Sequence, residues 1–320
     1  MARPAVLVTH PRHFRIAGGA NPHTRESDDS LKTVDRDRAR SQWHSYVDAL
    51  SDGGIDVYVA EPEPELTGMV FTANAGLLVH RLDDRPIAEK TFYPSRFTAE
   101  HRRPEADRFE SFFQRFGVPT RRLPEGLRFE GEADAFPVGR SEQRRQIFTW
   151  GFRSDARVGD WLAETVWEEP PLRLELSNSH FYHGDCLLCD LGGPLLAWPS
   201  GLTDAAARRL DDELGDRVIE LSDDDAWNFV GNSFYIETRT DRLLYAPTDI
   251  ADRTVDRIEN TGVTVVEVDI SEFFGKGGGG PKCMVFNLGT VDREPEDVSE
   301  DVRAFRRRRH VRQVRSESAP

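Results

Sequence analysis

The sequence predicts an α/β protein built from repeated units that close around a common axis. Three observations predict it. Short apolar segments run into one or two polar residues beside a small residue, and then into another apolar segment. The pattern returns at intervals of about 40–50 residues, as in repeat architectures, and segments with helical periodicity separate most copies. Closing such units would gather their polar turns at one end. An ordinary α/β sandwich with polar loops is the alternative interpretation.

The first elements are defined by apolar periodicity and by glycine. VLVTH at 6–10 predicts a strand, and the polar, glycine-containing segment 16–30 that follows predicts a loop able to line a site. Apolar residues at helical spacing predict a helix over 33–51, which ends at Gly53 and Gly54. IDVYVA at 55–60 predicts the next strand.

The repeated copies follow in order along the chain. They are MVFTANAGLLVH at 69–80, LRFEGEADAFPV at 127–138, IFTWGFRSDA at 147–156, SHFYHGDCLLCDL at 179–191, NFVGNSFYIET at 228–238 and GGGGPKCMVFNLG at 277–289. Helices are expected at 98–116, 155–167, 202–214 and 248–261. Each copy is expected to hold a strand on both sides of its polar turn.

The composition changes after Gly289, which predicts one folded domain over 1–290 and a charged, flexible tail over 291–320. The segment FRRRRHVRQVR at 305–315 has the charge to touch RNA or an acidic partner. On an acidic protein we expect it to stay loose or to fold back on the surface.

Charge and cysteine content narrow the class of protein. The net charge is −14 over 320 residues, which disfavours binding to nucleic acid and is compatible with a cationic substrate, although solubility alone explains such a surface. No apolar run is long enough for a membrane span, and no secretory leader is evident. Three cysteines without a leader favour a reducing cytoplasm.

Cys283 is a candidate nucleophile. It follows four glycines, Pro281 and Lys282, and such a loop lets the backbone approach a ligand while the lysine favours the thiolate. A small buried hydrophobe at the start of the strand CMVFNL is the alternative interpretation.

His183 and Asp185 form a second candidate pair. Residues two apart on a strand share a face, so both are expected to face one site while Cys186 points to the opposite side. A zinc site using His183, Cys186 and Cys189 is less favoured, because the partner ligands are missing and both cysteines lie in an apolar run. We therefore expect no metal.

Glu130, Glu132 and Asp134 alternate in FEGEADAF. Three carboxylates on one face of a strand would repel each other unless a cation lies among them. A guanidinium is one candidate for that cation, because it is planar and carboxylates bind it bidentately. A metal ion is the competing candidate. The alternative without any cation is an acidic strand face exposed to solvent.

Taken together, these segments resemble the guanidino-group-modifying (pentein) superfamily, which includes arginine deiminases, dimethylarginine dimethylaminohydrolases, amidinotransferases and arginine dihydrolases. The resemblance spans about residues 5–289. It is carried by PRHFRI and NPH within 11–23, VFTANAG at 70–76, FEGEADAF at 129–136, GFRSD at 151–155, YHGDCLLC at 182–189, GNSF at 231–234 and GGGGPKC at 277–283.

The resemblance implies a five-bladed, pseudo-symmetric α/β propeller with a central active site. It implies Cys283 as nucleophile, His183 as acid/base, and Glu130, with Asp134 or Glu132 as alternatives, as the carboxylate that pairs with the histidine. Asp185 would help to hold the guanidinium. Asn74, Asn21, Arg153 and Asn232 match substrate-pocket positions, with Arg153 suited to an α-carboxylate.

The chain departs from the family pattern at three motifs. The histidine motif, commonly Tyr-His-Leu-Asp-Thr-Cys, has Gly184 and Cys186 here, and the motif around Asn232, commonly Cys-Asn-Ala-Val, is Gly-Asn-Ser-Phe. Asn21-Pro22 is followed by His23-Thr24, where arginine dihydrolases tend to have Trp-Met. Separately, Asn74 occupies a position that is usually Asp in deiminases. These changes affect the substrate more than the chemistry. Asparagine in place of aspartate at position 74 removes one negative charge from the pocket, which favours a dihydrolase.

The function implied by the resemblance is cofactor-independent hydrolysis of the guanidino group of arginine or a methylated arginine through a covalent amidino-cysteine. An amidinotransferase and a non-catalytic pentein-fold binding protein are the alternatives. The implied binding partner is a small guanidino substrate such as arginine. Binding to nucleic acid or to a membrane is not expected, and a homo-oligomer is possible under this interpretation.

Overall fold

The computed structural model describes residues 3–79, 87–140, 144–167 and 169–291. This part of the chain is a mixed α/β fold with five small sheets. The predicted tail lies outside the described residues except for Val291, so its flexibility stays a prediction.

The strands of the described part are β1 Pro4–Thr9, β2 Asp56–Ala60, β3 Gly76–Val79, β4 Thr91–Pro94, β5 Ala135–Val138, β6 Arg145–Trp150, β7 Leu172–Glu175, β8 Leu188–Asp190, β9 Leu195–Ala197, β10 Val218–Glu220, β11 Phe234–Glu237, β12 Arg242–Pro247, β13 Thr264–Val268 and β14 Phe286–Thr290. The helices are α1 Arg36–Asp52, α2 Glu105–Arg115, α3 Val158–Leu162, which continues as a π-helical turn over Ala163–Trp167, α4 Asp204–Leu214, α5 Asp223–Trp227, α6 Asp252–Glu259 and α7 Ser271–Gly277.

The five sheets share one construction. The first strand pairs antiparallel with the second, the second pairs parallel with the third, and a helix connects the second to the third. In the sheet β11–β12–β13, for example, Tyr245 lies opposite Phe234 in the antiparallel ladder and opposite Val266 in the parallel one. The sheet β3–β4 has no third strand in the described part of the chain. An isolated parallel bridge between Phe92 and Thr120 takes its place.

A short polar turn precedes the first strand of every sheet, and the five turns contact one another in sequence. The contacts are the packing of Gly131 on Gly76, Gly184 N–H to Asp134 Oδ1 at 3.0 Å, Asn232 Nδ2 to Asp185 O at 2.7 Å, Lys282 N–H to Asn232 O at 2.9 Å and Ala73 N–H to Cys283 O at 3.1 Å. The last contact returns to the first turn, so the predicted convergence of polar turns is present.

The segment before each turn is not a strand, contrary to the sequence prediction. Phe129 forms only an isolated bridge with Arg96, and residues 69 and 70 lie in a turn. These segments lead into tight 3-10 turns, where contacts with the neighbouring turn replace a strand ladder. The copy predicted at 147–156 is instead the end of β6 and its following loop, and α5 and α7 were not predicted.

Helix α1 shows why the apolar periodicity predicts its element correctly. Trp43, Tyr46, Val47 and Leu50 are all buried on one face in an apolar cluster. The Asp35 side chain caps the first turn by accepting from the backbone N–H groups of residues 37 and 38, and the chain leaves the helix at Gly53.

Within the described ranges, no helix has both the length and the apolar character needed to cross a bilayer.

Candidate active site

Cys283 lies in the last of the five polar turns, where the glycine run allows very close packing. A Cβ at Gly279 would come within 2.5 Å of the Phe71 ring, and one at Gly280 within 2.7 Å of Asn232 Oδ1. Asn232 Oδ1 accepts hydrogen bonds from Gly280 N–H at 2.7 Å and from Cys283 N–H at 3.3 Å. The cysteine is therefore held among the contacting turns, with only 2% of its surface exposed.

The surroundings of Cys283 favour its thiolate. A hydrogen bond from Cys186 lowers the pKa of Cys283, and although burial raises it, a hydrogen bond from Asn232 and the charges of Lys282 and Arg102 lower it further. Both carboxylate oxygens of Asp185 lie 3.8 Å from the Cys283 sulfur. Burial and this sulfur raise the pKa of Asp185 well above its usual range, so the pair favours one shared negative charge.

His183 is buried and held through one ring nitrogen. Its Nε2 lies 2.9 Å from Glu130 Oε2, whereas its Nδ1 is buried and has no hydrogen-bond partner in the described part of the chain. Glu130 also receives Arg153 Nη1 at 3.2 Å and the Thr98 backbone N–H at 3.0 Å. One nitrogen is thus oriented by a carboxylate, and the other can exchange a proton with a ligand.

The carboxylate of Glu130 keeps its negative charge despite full burial. Burial raises its pKa, but Arg153, the hydrogen bond with His183 and the charge of Arg102 together hold the pKa well below the usual range of a glutamate. A permanent negative charge here fixes the orientation of the His183 ring through the contact at Nε2.

The three carboxylates of FEGEADAF do not share one strand face, which corrects the sequence prediction. Residues 131–133 form a 3-10 turn that sends the side chains in different directions. Glu130 pairs with His183 and Arg153, while Glu132 pairs with Lys282 at 2.6 Å. Asp134 accepts from the Thr149 and Ser154 hydroxyls and from the Gly184 backbone N–H. Each carboxylate has its own partner, so no unfilled cation site remains among them.

Asn74 and Arg102 meet on the wall of the cavity above Cys283. Arg102 Nη1 donates to Asn74 Oδ1 at 2.8 Å, and Arg102 also binds buried Glu105 and the Gly68 carbonyl. Because the arginine fixes the orientation of the amide, Asn74 Nδ2 is a buried donor that has no partner in the described ranges. The sequence did not single out Arg102, since an arginine inside a charged EHRR segment is ordinarily a surface residue.

The remaining predicted pocket residues are also close to Cys283. Asn21 and Arg153 line the same cavity, but both make internal bonds, from Asn21 Nδ2 to the Gly277 carbonyl at 2.9 Å and from Arg153 Nη2 to the Ala20 carbonyl at 2.6 Å. Asn232 is a fully buried connector between turns and is absent from the cavity wall.

Cys186 faces the site, whereas the strand pattern predicted that it would face away. The 3-10 turn over Gly184–Cys186 brings donor atoms of His183, Asp185 and Cys186 within 4.8 Å of one another. Cys189, the third member of the disfavoured zinc set, points to the Ser233 carbonyl at 3.1 Å. Asp185 also lies 3.8 Å from the Cys283 sulfur, so this cluster adjoins the candidate nucleophile.

Two cavities adjoin the ring of turns. One of about 50 Å³ is lined by Cys283, Asn74, Arg102, Arg153 and the loop over residues 14–21. The larger, of about 410 Å³, is lined by Asp185 and Lys282 but not by Cys283, and His183 lines neither of the two. The smaller cavity is the candidate substrate site, because it contains the nucleophile and donors that have fixed directions.

Comparisons with known proteins point to one group of enzymes. A family model for eukaryotic N,N dimethylarginine dimethylhydrolase matches residues 177–290. The N(G),N(G)-dimethylarginine dimethylaminohydrolase of Mycobacterium tuberculosis is 30% identical over 285 residues, which cover 88% of this chain and 84% of that protein. The bifunctional arginine dihydrolase/ornithine cyclodeaminase AgrE of a Nostoc species is 28% identical over 306 residues.

The alignment with AgrE covers 95% of this chain but only 39% of AgrE, so the chain corresponds to a part of that longer relative. Among solved structures, the N-terminal domain of ArgZ, a cyanobacterial arginine dihydrolase bound to its product, is similar with a TM-score of 0.78 at 25% identity. The similarity covers 90% of this chain and 98% of that domain. A single-residue variant of that domain has been solved covalently bound to a reaction intermediate.

Proposed function

Because the chain belongs to the dimethylarginine dimethylaminohydrolase family of guanidino-group-modifying (pentein) proteins, we propose that it is a cysteine-dependent hydrolase of the guanidino group of arginine. The observation that carries the proposal is the buried arrangement of Cys283, Asp185, His183 and Glu130. It joins a thiol of lowered pKa to a histidine held by a permanently charged carboxylate. A pure binding protein has no use for this combination.

In the first half-reaction, the Cys283 thiolate attacks the guanidinium carbon and a C–S bond forms. His183, protonated at Nδ1 and hydrogen-bonded through Nε2 to Glu130, gives its proton to the departing nitrogen as the C–N bond breaks. Ammonia leaves, and the amidino group stays on the sulfur. Asp185, beside the sulfur, faces the positive charge of the substrate.

In the second half-reaction, His183 Nδ1 takes a proton from water while the water oxygen attacks the amidino carbon. The C–S bond breaks, the thiolate is regenerated, and the product is the ureido amino acid. One arginine and one water thus give citrulline and ammonia. Neither half-reaction requires a group beyond the side chains named.

The cavity wall favours a second turnover of the ureido product, as in a dihydrolase. Asn74 Nδ2 is a buried donor fixed by Arg102, and a ureido oxygen is a good acceptor for it. A second attack by Cys283 on the ureido carbon would release the other ammonia and leave the remaining carbonyl, still bonded to the ornithine nitrogen, on sulfur. Hydrolysis of that C–S bond regenerates the thiol and gives a carbamate, which loses carbon dioxide to leave ornithine as the amino acid product.

Arg153 is the group we assign to the α-carboxylate of the substrate. It lines the cavity beside the loop over residues 14–21 and carries a positive charge, and it also contacts Glu130 and the Ala20 carbonyl. Arg102 lines the same cavity and is bound by Glu105, Asn74 and Gly68. The loop over residues 14–21 forms one wall of this cavity.

The five sheets are proposed to be the blades of a propeller around the ring of polar turns. The common strand order and the closing contact from Ala73 N–H to the Cys283 carbonyl support this arrangement. The three cysteines are free thiols, which supports activity in a reducing compartment such as the cytoplasm.

The test is product analysis by mass spectrometry after incubation with arginine or with dimethylarginine. Ornithine and two equivalents of ammonia from arginine are expected, and citrulline alone would indicate a deiminase-type hydrolase. If citrulline forms from dimethylarginine and not from arginine, the substrate is the methylated form of arginine. No product from either, or equal turnover by Cys283→Ala, would contradict the proposal, whereas transfer to an added amine would indicate an amidinotransferase.

A further inference from the structure

Glu105 is a fully buried carboxylate that the mechanism above leaves without a role. It is the first residue of helix α2, and none of its surface is exposed. Both of its oxygens accept hydrogen bonds from Arg102, whose Nε lies 3.2 Å from Oε1 and 3.1 Å from Oε2 and whose Nη2 lies 2.8 Å from Oε2. Arg102 and Asn74 line the cavity beside Cys283, whereas Glu105 does not. An effect of Glu105 on a bound ligand would therefore pass through Arg102.

We propose that Glu105 is a positioning residue that holds Arg102 against Asn74, so that Asn74 presents an N–H donor to the cavity and the ureido product is bound for a second turnover. The proposal rests on the proposed function, in which that product is attacked again. It deepens the function by naming a residue that determines which terminal group, ureido or guanidinium, the cavity prefers.

The contacts of Arg102 leave its guanidinium a single orientation. The group is planar, and its donors have fixed relative directions. Glu105 binds Nε and Nη2, and the Gly68 carbonyl also accepts from Nη2 at 3.1 Å. The Arg102 Cζ atom lies over the Phe97 ring, 4.5 Å from the centroid. Because one edge and the plane of the group are fixed, Nη1 has one direction, toward Asn74 Oδ1 at 2.8 Å.

The hydrogen bond from Arg102 decides which end of the Asn74 amide is left for a ligand. An arginine only donates, so the atom that it binds must be the amide oxygen. Asn74 Nδ2 is then a buried donor that has no partner among the described residues. A ureido oxygen accepts from this donor, whereas a guanidinium carries only donors and leaves it unsatisfied. Glu105 therefore favours a ureido group that it does not touch.

A pair that only stabilised the fold would affect the binding of both ligands alike. Glu110 provides the comparison on the same helix. It accepts from Arg122 Nε at 3.0 Å, and neither of these two residues lines the cavity. Glu110→Gln is therefore the control for the loss of an ion pair on α2.

The test is the ratio of the dissociation constants of citrulline and arginine, measured by isothermal titration calorimetry on the full chain with Cys283→Ala to prevent turnover. Glu105→Gln keeps the shape of the side chain but removes its charge and one acceptor, so Arg102 loses its fixed orientation and the Asn74 amide can turn its oxygen to the ligand. The citrulline-to-arginine ratio should rise about tenfold, the scale of one hydrogen bond to a buried donor. Both ligands carry the same α-carboxylate, so changes in its binding cancel in the ratio. Glu110→Gln should leave the ratio unchanged.

An Asn74→Ala background shows whether Glu105 acts through the amide. Glu105→Gln should have no further effect on the ratio there, because the group through which it acts is gone. A shift of full size in that background, or an unshifted ratio in a folded Glu105→Gln protein that retains Asn74, would overturn the positioning role. Breaking a buried ion pair is strongly destabilising. If Glu105→Gln does not fold, Glu105→Asp gives the same comparison, because it withdraws the carboxylate from Arg102 by one methylene, and an unshifted ratio in that variant would also overturn the role.

Turnover by the wild type separates this proposal from the proposed function. Turnover of arginine together with an unshifted binding ratio in Glu105→Gln would remove only the role of Glu105. A raised ratio in a chain that does not turn over arginine would uphold that role and remove the hydrolase. Binding of neither ligand to folded Cys283→Ala protein would contradict both.

Discussion

At the residue scale, the site is organised around the placement of a few buried negative charges. Glu130 stays ionised because Arg153, His183 and Arg102 compensate for its burial. Asp185 and Cys283 lie so close that they favour one shared charge until a cation arrives. The proposed guanidinium substrate would supply that cation, so binding of the substrate and activation of the thiol are expected to reinforce each other.

Replacing Glu130 with glutamine should lower kcat by about 100-fold or more, the scale typical of losing acid–base assistance. The imidazolium of His183 loses its charged partner, while the shape of the side chain is kept. Steady-state kinetics with arginine measure this, with the exposed Glu125→Gln as the control. Unchanged kcat in Glu130→Gln would exclude the assigned role.

The same variant gives a stability prediction with a defined direction in pH. The folded pKa of Glu130 is depressed, so its contribution to stability is present above the unfolded pKa, about 4.3, and is lost as pH falls toward the folded pKa. Thermal unfolding should therefore show a large gap between wild type and Glu130→Gln at pH 6–7. The gap should narrow below about pH 4, and a constant gap would contradict the assignment.

At the element scale, the 3-10 turns determine where the functional side chains point. Gly131 has φ of +68°, and a Cβ there would lie 2.3 Å from the Gly76 carbonyl oxygen in the neighbouring turn. Gly126 has a similar φ of +78°, but nothing lies within 4 Å of a Cβ built there. Comparing substitutions at the two glycines therefore distinguishes the effect of backbone strain from the effect of crowding between turns.

Gly131→Ala should destabilise the fold by about 2 kcal/mol more than Gly126→Ala, because only the first forces two backbones apart. Differential scanning calorimetry of both variants checks this, with the lower Tm expected for Gly131→Ala. Equal losses of Tm would indicate that the contact between the turns is loose.

The sequence was informative about which segments form the site and less informative about their local geometry. Helix α1 and the strands after each turn follow from apolar periodicity. The side-chain directions at Glu132 and Cys186 do not follow from it. Over four residues, the sequence of a strand and the sequence of a 3-10 turn made of polar and small residues cannot be distinguished. Only contacts between turns distant in sequence, such as Gly184 N–H to Asp134, select the 3-10 form.

At the scale of the whole molecule, Asn232 connects three of the five turns. Its side chain donates to the Asp185 carbonyl and accepts from the N–H groups of Gly280 and Cys283. Such long-range connections could not be derived from the repeat pattern, which predicted only that polar turns would converge. The motif order indicated the superfamily, whereas Arg102 and its partner Glu105 emerged only from the packed structure.

Asn232→Ala should lower Tm and also change the reactivity of Cys283, because the amide both joins the turns and holds the backbone of the nucleophile. Asn228→Ala is the matched control. Its side chain donates to the carbonyls of Thr248 and Asp249, away from the site. That variant should lower Tm without altering the rate at which iodoacetamide alkylates Cys283, and identical reactivity in both would refute the connecting role.

The central claim is that Cys283 carries the amidino group during turnover. The most direct measurement is peptide mass spectrometry of enzyme mixed with arginine and quenched with acid within the first turnovers. The account predicts an added amidino mass on the peptide that contains Cys283, absent in Cys283→Ala and unchanged in Cys189→Ala. Consumption of arginine with Cys283 unmodified, or with the added mass on another residue, would contradict it.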